Sequence, residues 1–424
     1  MLFIYGALPV GGIETFFLRM AKERHRLGLP VSVLLLSKPE KSDKKMLAEM
    51  RQVAKVYFLS DLFYGSFGPC AKFPLLLPIK KETTEKIFSE VNQVHAFDGM
   101  HALLGYRIIS QLGLSLPITI GFYHYIKYIW GGNEVAHHER INRKFIFDYL
   151  PQESLLFFSE GNRKLYENFR RICLSGAQTF RLGVVDEKLV SVSGAISNPL
   201  RIVAVGRLVE FKTYNIYMLG VIKKLKENGV NVRLDIYGEG PIQNKVESLV
   251  RELALEEVVT LKGTLDYNDF NIVVGDYDLF IGSGTAIIQA AALGVPSIVG
   301  VENVISSETY GYFCDVCDFE YNVKGLDLPL VNVGGLIEDY IMLDQTERHN
   351  LKLRHLLSVK AFTNESCHNA LDSLQFILMP EYRFNFNKFY YEFSRFVDWV
   401  KMKIFSNHPF NKRHEWFENN KQDF

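Results

Sequence analysis

Short apolar segments alternate along the whole chain with segments of helical periodicity. In the first half, the apolar segments lie at residues 2–6, 31–36, 56–59, 93–97, 118–122 and 155–159. Segments with an amphipathic helical pattern, such as 13–27 and 101–112, separate them. Apolar runs of four to eight residues that alternate with helices are typical of buried parallel strands joined by crossover helices. The pattern therefore predicts an α/β fold.

The same alternation begins again after residue 200. Strands are predicted at 201–205, 232–237, 258–261, 278–281 and 297–299, and helices at 215–228, from 242, and at 285–293. A polar segment rich in small residues, 186–200, precedes them and has the composition of a linker. We predict two Rossmann-like, doubly wound parallel-sheet domains, 1–185 and 186–378, that face a central cleft and bind ligands at the carboxyl ends of their strands.

The last segment, 379–424, differs in character because it is rich in aromatic and basic residues. Its apolar residues recur at spacings of three and four, which predicts one apolar face of a helix: Phe386, Phe389, Phe393, Phe396, Val400 and Ile404. Two interpretations of this helical extension stay open. It packs on the N-terminal domain, or it rests on the anionic surface of the inner membrane.

Composition and charge exclude several classes of protein. The 424 residues are 48% hydrophobic and 23% charged, enough apolar material for two folded domains. Because 48 basic residues balance 48 acidic ones, the chain lacks the basic excess of a nucleic-acid binder. Five cysteines and an N-terminus without a signal-peptide pattern favour a cytoplasmic protein. The lone pair Cys314 and Cys317 lacks the further ligands of a zinc site, so no metal is expected.

The candidate chemistry begins directly after the first strand of the second half. Arg207 and Lys212 follow that strand, next to Gly206. A planar guanidinium and a mobile ammonium, close to the start of a helix, suit a diphosphate group. If a nucleoside diphosphate leaves during a reaction, such cations stabilise its growing negative charge.

Two further loops have the residues of a ligand-binding edge. Gly238 and Gly240 follow the next strand and permit a tight turn with close approach of the backbone. The turn Gly282-Ser283-Gly284-Thr285 opens a helix, an arrangement suited to an anion or a hydroxyl group.

The runs GRLVEFK (206–212), DIYGEGP (235–241), VVTLKGTL (258–265) and DLFIGSGTAIIQAAALGVPSIV (278–299) resemble the C-terminal domain of retaining GT-B glycosyltransferases of the family-4 type, the glycosyl transferases group 1. The resemblance covers residues 200–300 and extends more weakly into the first half. It implies transfer of a sugar from a nucleotide-sugar to a hydroxyl of an acceptor, with retention of the anomeric configuration and no cofactor. By family habit, the acceptor is a saccharide or lipid-linked saccharide of bacterial surface polysaccharide synthesis.

The resemblance also implies roles for individual residues. It assigns Arg207, Lys212 and His124 to catalysis, the first two at the diphosphate and the histidine near the sugar. It assigns donor binding to Gly11, Gly12, Gly206, Gly238, Gly240, Gly284, Thr285, Ala286 and Gln289. Gln289 takes the place of the second glutamate of the family's E-x7-E motif, and Ile281 falls at the first.

Two alternatives to a glycosyltransferase stay open. A nucleotide-sugar epimerase on the same scaffold would consume the donor without an acceptor, because a fold does not fix a reaction. A non-catalytic partner subunit would keep the fold without turnover. His95, at the end of an earlier strand, is either structural or directed toward the cleft.

Overall fold

A computed structural model of the protein describes residues 1–9, 11–132, 134–186, 193–266, 269–318, 321–374 and 377–420. The chain forms two compact units. The first comprises Met1–Gly183 together with Cys367–Phe424, and the second comprises Val184–Ser366. Residues 187–192 of the predicted linker lie outside the described residues.

The first unit is built on a seven-stranded parallel sheet. Its strands are β1 (Leu2–Tyr5), β2 (Ser32–Leu35), β3 (Lys55–Phe58), β4 (Val94–Ala96), β5 (Ile118–Phe122), β6 (Leu155–Phe157) and β7 (Gln178–Thr179). They lie in the order β3-β2-β1-β4-β5-β6-β7. The helices are α1 (Gly12–Arg26), α2 (Lys44–Val53), α3 (Leu59–Leu62), α4 (Lys81–Phe88), α5 (Gly99–Leu112), α6 (His137–Lys144) and α7 (Glu160–Arg170).

Both faces of this sheet are covered by helices. Successive side chains of β1 point to opposite faces, so that Leu2 and Ile4 enter one apolar cluster while Phe3 enters another. Leu103 of α5 lies in the first cluster and Phe17 of α1 in the second. Each such buried side chain stabilises the fold by about 1.5–3 kcal/mol. This two-faced burial explains why the strands are apolar without alternation.

The second unit repeats the arrangement on a smaller sheet. Its strands are β8 (Leu200–Val205), β9 (Val232–Tyr237), β10 (Val259–Gly263), β11 (Leu279–Gly282) and β12 (Ser297–Val299), all parallel in the order β10-β9-β8-β11-β12, and β13 (Glu308–Thr309) with β14 (Val331–Asn332), an antiparallel pair. The helices are α8 (Tyr214–Glu227), α9 (Gln243–Glu252), α10 (Phe270–Val274), α11 (Thr285–Ala291), α12 (Phe313–Val316), α13 (Val333–Met342) and α14 (Gln345–Ser358).

Helices again cover both faces of the smaller sheet. Ile202 and Val203, neighbours in β8, enter different apolar clusters. Ile222 of α8 belongs to the first of these clusters and Ile287 of α11 to the second. The predicted fold class is therefore confirmed: each unit is a doubly wound parallel sheet.

The chain returns to the first unit through α15 (Asn364–Asp372) and continues into α16 (Lys388–Ile404) and α17 (Arg413–Asn420). The sequence places this boundary after residue 378, whereas the structure places it after Ser366. The reason is burial, because Cys367 and Leu371 pack into the cluster that contains Phe3. The segment has no glycine or proline punctuation before residue 380 that marks the change.

Helix α16 attaches to the first unit through a face that the apolar periodicity does not predict. Tyr391 and Glu392 are fully buried, whereas Phe389 and Phe393 of the predicted apolar face are 71% and 56% exposed. The Tyr391 hydroxyl donates to Oδ1 of Asn142 over 2.7 Å. Buried polar groups with partners therefore fix the helix, and much of its apolar face stays open to solvent.

His355 of α14 is fully buried and is held as a neutral tautomer. Its Nδ1–H donates to the carbonyl of Leu351 over 2.8 Å, and its Nε2 accepts from the backbone N–H of Ser297 over 2.9 Å. Burial lowers the pKa of this imidazole from 6.5 to about 4. A second proton would place two N–H groups against each other, so the fold favours the neutral ring.

This histidine makes the second unit sensitive to acid. Since the folded-state pKa lies below that of the unfolded chain, the unfolded chain binds the proton first as the pH falls. We expect the stabilisation to be complete above about pH 6.5 and to be lost toward pH 4, at about 1.4 kcal/mol per pH unit. Urea unfolding at pH 7 and pH 4.5 should show a smaller pH-dependent loss in His355→Gln than in the wild type. His349→Gln, on the same helix and partly exposed, serves as control; equal losses in all three proteins would contradict the assignment.

Candidate functional site

Two loops at the carboxyl edge of the second unit's sheet are joined by backbone hydrogen bonds. The N–H of Gly206, after β8, donates to the carbonyl of Tyr237 over 2.9 Å. The N–H of Leu208 donates to the carbonyl of Glu239 over 3.0 Å. The loop after β8 and the loop after β9 therefore form one continuous surface.

Glycine is required where these two loops touch. A side chain on Gly238 would overlap the carbonyl oxygen of Gly206, and one on Gly240 would overlap the carbonyl oxygen of Leu208. The contact partners are backbone atoms, which cannot rotate away. Loop packing thus accounts for both glycines, and the donor contact predicted for them stays a prediction.

Lys212 lies over the glycine at the end of β8. Its Nζ is 2.9 Å from the position that a Cβ on Gly206 would take. The side chain is half-buried and forms no ion pair within 4.0 Å in the part of the chain that the structure describes. Arg207 is exposed, and its guanidinium has no partner among the described residues. The structure thus places the ammonium at the sheet edge and leaves the guanidinium extended into solvent.

A carboxylate that the sequence analysis missed lies close to Lys212. Glu302 follows β12, and its Oε1 accepts a hydrogen bond from the Ser283 hydroxyl over 3.1 Å. Burial raises the pKa of Glu302, while the charge of Lys212 and the bond from Ser283 oppose that rise. The loops after β8, β11 and β12 therefore bring an ammonium, a hydroxyl and a carboxylate together.

The position of Ile281 explains why the spacing of the E-x7-E motif does not lead to this carboxylate. Ile281 lies inside β11 and is fully buried in the core. Counting eight places back from Gln289 therefore reaches a strand, because the turn between β11 and α11 is short. Glu302 could have been found by another signal, since it is the first charged residue after the uncharged run 279–301 and follows a predicted strand.

The turn before α11 is shaped by its own contacts. Gly284 has φ of +67°, in the left-handed region that favours glycine. Its N–H donates to Oδ1 of Asn322 over 2.9 Å, and its carbonyl accepts from the Tyr321 hydroxyl over 3.3 Å. Thr285 opens α11, followed by Ala286, and Gln289 is half-buried one turn further on. The Gln289 amide has no hydrogen-bond partner among the described residues.

The first unit holds the other candidate residues. Gly11 precedes Gly12, the first residue of α1, and a side chain on Gly11 would overlap the carboxylate of Glu14. That carboxylate accepts from the Tyr5 hydroxyl over 2.5 Å. His124 follows β5 and is half-buried. Its Nδ1 lies 3.4 Å from the backbone N of Ile126, which donates to it.

His95 is a structural residue. It is buried, with Nδ1 2.9 Å from the Thr119 hydroxyl and Nε2 2.6 Å from the Tyr123 hydroxyl. Burial lowers its pKa to about 3. A neutral imidazole with both nitrogens occupied has no free position for a ligand, which decides between the two interpretations of this residue.

The described ranges contain no cluster of side chains suited to a metal ion. Within them, no group of three or more His, Cys, Asp or Glu side chains could hold a metal ion. Burial raises the pKa of Cys314 to about 11, so that this thiol stays protonated at neutral pH. The metal-free chemistry that the resemblance implies stays a prediction. Over the same ranges, no helix has the length and apolar character to cross a bilayer.

Sequence comparison supports the resemblance for the second unit. Residues 185–328 match the family model described as glycosyl transferases group 1. A protein of Escherichia coli (strain K12) named "Putative colanic acid biosynthesis glycosyltransferase WcaL" is 27% identical over 134 residues, 28% of this chain and 33% of its own length. An "Uncharacterized glycosyltransferase" of Haemophilus influenzae is 26% identical over 142 residues, 31% of this chain and 39% of its own length. The chain thus spans about a third of the length of these relatives.

Comparison of structures extends the similarity to both units. HepE of Anabaena, solved with UDP and glucose, superposes with a TM-score of 0.60 at 13% identity, over 88% of this chain and 98% of its own. A glycosyltransferase of Rickettsia africae superposes with a TM-score of 0.61 at 14% identity, over 87% and 96%. The chain has the GT-B fold.

Within this GT-B chain, the candidate residues form two sets. Arg207, Lys212 and Gln289, with the glycines of the second unit, follow strands β8, β9 and β11 at the carboxyl edge of one sheet. Gly11, Gly12 and His124 follow strands β1 and β5 of the other sheet. In each unit, residues far apart in sequence are brought to one edge because all strands of the sheet run in parallel.

The glycine contacts can be tested by stability. Gly238→Ala should destabilise the protein by about 1–3 kcal/mol, because the methyl group meets a carbonyl that cannot move aside and because alanine rarely adopts a φ of +146°. Gly220→Ala in α8 is the matched control, since nothing lies within 4 Å of its would-be Cβ. In a helix interior this change should stabilise by about 0.5–1 kcal/mol. Chemical denaturation measures both, and similar effects of the two substitutions would refute the packing argument.

Proposed function

We propose that the protein is a glycosyltransferase that moves a sugar from a nucleotide-sugar to a hydroxyl of a saccharide or lipid-linked saccharide, with retention of configuration. The observation that carries the proposal is the Lys212 ammonium over Gly206, at the carboxyl edge of β8. This position lies within the 185–328 match to glycosyl transferases group 1. The fold, shared with HepE, supports it.

The charges at this edge suit a diphosphate. Lys212 is a mobile point charge without a carboxylate in ion-pair contact among the described residues, and Arg207 offers a planar fork. When the bond from the anomeric carbon to the diphosphate breaks, negative charge grows on the leaving oxygen. Cations at that oxygen stabilise the transition state more than the ground state.

The neighbouring polar groups suit the rest of the donor. Gln289, with a side-chain amide that has no partner among the described residues, can donate to and accept from the hydroxyl groups of a ribose. Glu302 and Ser283 lie together at the turn before α11 and offer oxygen acceptors for a sugar hydroxyl. We infer that Glu302, on the loop after β12, takes the place of the first glutamate of the E-x7-E motif.

In the proposed reaction, the acceptor oxygen attacks the face of the sugar that the diphosphate leaves. The proton of the acceptor hydroxyl passes to the departing phosphate oxygen. Such a step requires no protein nucleophile and no metal, in line with the cofactor-free chemistry expected from the resemblance. The roles expected for Gly11, Gly12 and His124 remain predictions.

The decisive experiment measures donor binding and transfer in Arg207→Ala and Lys212→Ala. Each charge-assisted bond contributes about 1.5–3 kcal/mol, so each variant should bind UDP at least about tenfold more weakly and transfer very little sugar. UDP is the first probe because HepE was solved with it. Lys226→Ala, an exposed cation at the far end of α8, is the control. Near-normal binding and turnover in both site variants would refute the site.

The same assay separates the alternatives. Nucleotide-sugars incubated without any acceptor should stay unchanged, whereas a new sugar stereoisomer would identify an epimerase. A ligand that binds the folded state raises the melting temperature. If uridine, guanosine and adenosine diphosphates and their sugars all leave the melting temperature of the folded wild type unchanged, the protein is a non-catalytic subunit.

We further propose a cytoplasmic location with peripheral contact between α16 and the inner membrane. Phe389, Phe393 and Ile404 are exposed on this helix, near the basic Lys401. Apolar side chains next to basic ones suit an anionic bilayer surface.

Vesicle sedimentation tests this contact. The wild type should bind vesicles that contain phosphatidylglycerol and ignore vesicles of phosphatidylcholine alone, because the basic charge needs an anionic surface. Phe389→Ser with Phe393→Ser should abolish that binding. Phe67→Ser, a side chain 74% exposed outside α16, should leave it unchanged. Equal binding by all three proteins would contradict the proposal.

A further inference from the structure

The first unit contains a cavity of about 460 Å³ at the carboxyl edge of its sheet. It is lined by Gly6 after β1, Ser37 after β2 and Met100 in the first turn of α5, which follows β4. Strands β1 and β4 are neighbours, and the order of the sheet reverses between them. A crevice at such a reversal is where doubly wound sheets bind ligands. Its volume lies within the range of small-molecule sites, about 300–1,000 Å³.

The walls of this cavity carry positive charge. Lys41, Lys72 and Arg395 line it, and none of its described lining residues is acidic. Arg395 is paired with the buried Glu392 over 2.7 Å. Lys41 and Lys72 have no carboxylate within ion-pair distance in the described parts of the chain. Two lysines therefore line the cavity without a carboxylate counter-ion from the described residues.

His101 adds a polar group to the same wall. It is 5% exposed, and its Nδ1 lies 2.6 Å from Oδ1 of Asp98. Although burial acts to raise the pKa of Asp98, the charges of His101 and Lys127 and hydrogen bonds from His101 hold it well below its usual range. The other ring nitrogen, Nε2, is buried and has no hydrogen-bond partner among the described residues. With Nδ1–H donating to Asp98, Nε2 accepts a hydrogen bond in a neutral ring and donates one in a protonated ring.

The remaining walls are apolar. They are formed by Leu36, Pro74 and Met100, together with Phe396 and Trp399 of α16. Apolar and aromatic walls pack against the C–H faces of a sugar ring, and a cavity of this size is too large for an isolated phosphate or carboxylate group.

We propose that this cavity binds a saccharide unit that bears a negative charge, as a carboxylate or a phosphate. The anion meets Lys41 and Lys72, and the ring meets the apolar walls. That the bound unit belongs to the acceptor of a sugar transfer rests on the proposed function, whereas the binding itself does not. Helix α16 then has a role in the site, because it supplies Arg395, Phe396 and Trp399 to the wall.

Two lysines provide a matched pair for the test. The ammonium groups of Lys72 and Lys403 lie over the ring of Trp399, at 4.4 Å and 4.5 Å from its centre. Both residues are exposed, so that neither substitution should unfold the chain. Only Lys72 is among the described lining residues of the cavity.

Ligand-observed NMR on the full-length protein measures binding of glucuronic acid and glucose 1-phosphate, with glucose and inorganic phosphate as comparisons. We expect both charged sugars to bind, and glucose and phosphate alone to bind at least about tenfold more weakly, because each lacks one of the two contacts. Lys72→Ala should weaken binding of the charged sugars about tenfold. Lys403→Ala should change it less than about twofold.

Each other outcome overturns the inference. If glucose binds as tightly as the charged sugars, the cavity does not recognise the negative charge. If inorganic phosphate binds as tightly, the cavity recognises the anion without the sugar ring. Equal effects of the two lysine variants, or no binding of either charged sugar, would remove the cavity as the site. UDP binding is measured in the same samples. If the wild type binds the charged sugars but not UDP, the proposed function is refuted and this inference stands. If it binds UDP but not the charged sugars, this inference is refuted and the proposed function stands.

Discussion

The candidate donor site depends on the contact between two loops of backbone. The loop after β9 packs on the loop after β8 so closely that no side chain fits at Gly238 or Gly240. This contact fixes the path of the chain from Gly206 onward and so the place from which Lys212 reaches back over it. A flexible loop would have to be ordered each time a ligand binds, at a cost in conformational entropy. Because the two loops are already ordered by their packing, this entropy is lost when the chain folds and not when the ligand binds.

Electrostatic arrangement is the second common feature of the candidate sites. In the second unit, the Lys212 ammonium lies near Glu302, a carboxylate whose pKa burial raises and the charge of Lys212 lowers. In the first unit, Lys41 and Lys72 line a cavity without a carboxylate among its described walls. Both places lie at carboxyl ends of parallel strands, where loops from neighbouring strands converge. Cations at such edges are typical of sites for anionic ligands.

The C-terminal segment combines a buried attachment with an exposed apolar face in one helix. Tyr391 and Glu392 fix α16 to the first unit by buried hydrogen bonds, and Arg395 is paired with Glu392. The same helix supplies Phe396 and Trp399 to the cavity and leaves Phe389 exposed. Its apolar periodicity therefore reflects more than packing on a core. A helix that closes a ligand cavity and presents an apolar surface would couple the two properties in one element.

The sequence by itself determined the two α/β halves, most strands and the loops that carry Arg207, Lys212 and Gly284, because apolar periodicity and glycine turns are local properties of the chain. It could not determine the face by which α16 packs, the return of the chain at Cys367, or the contact of the Glu302 carboxylate with Ser283. Each of these depends on atoms distant in sequence: Asn142 for the helix, Phe3 for the return, and Ser283 for the carboxylate. Local patterns specify elements, whereas only their packing decides which side chains meet.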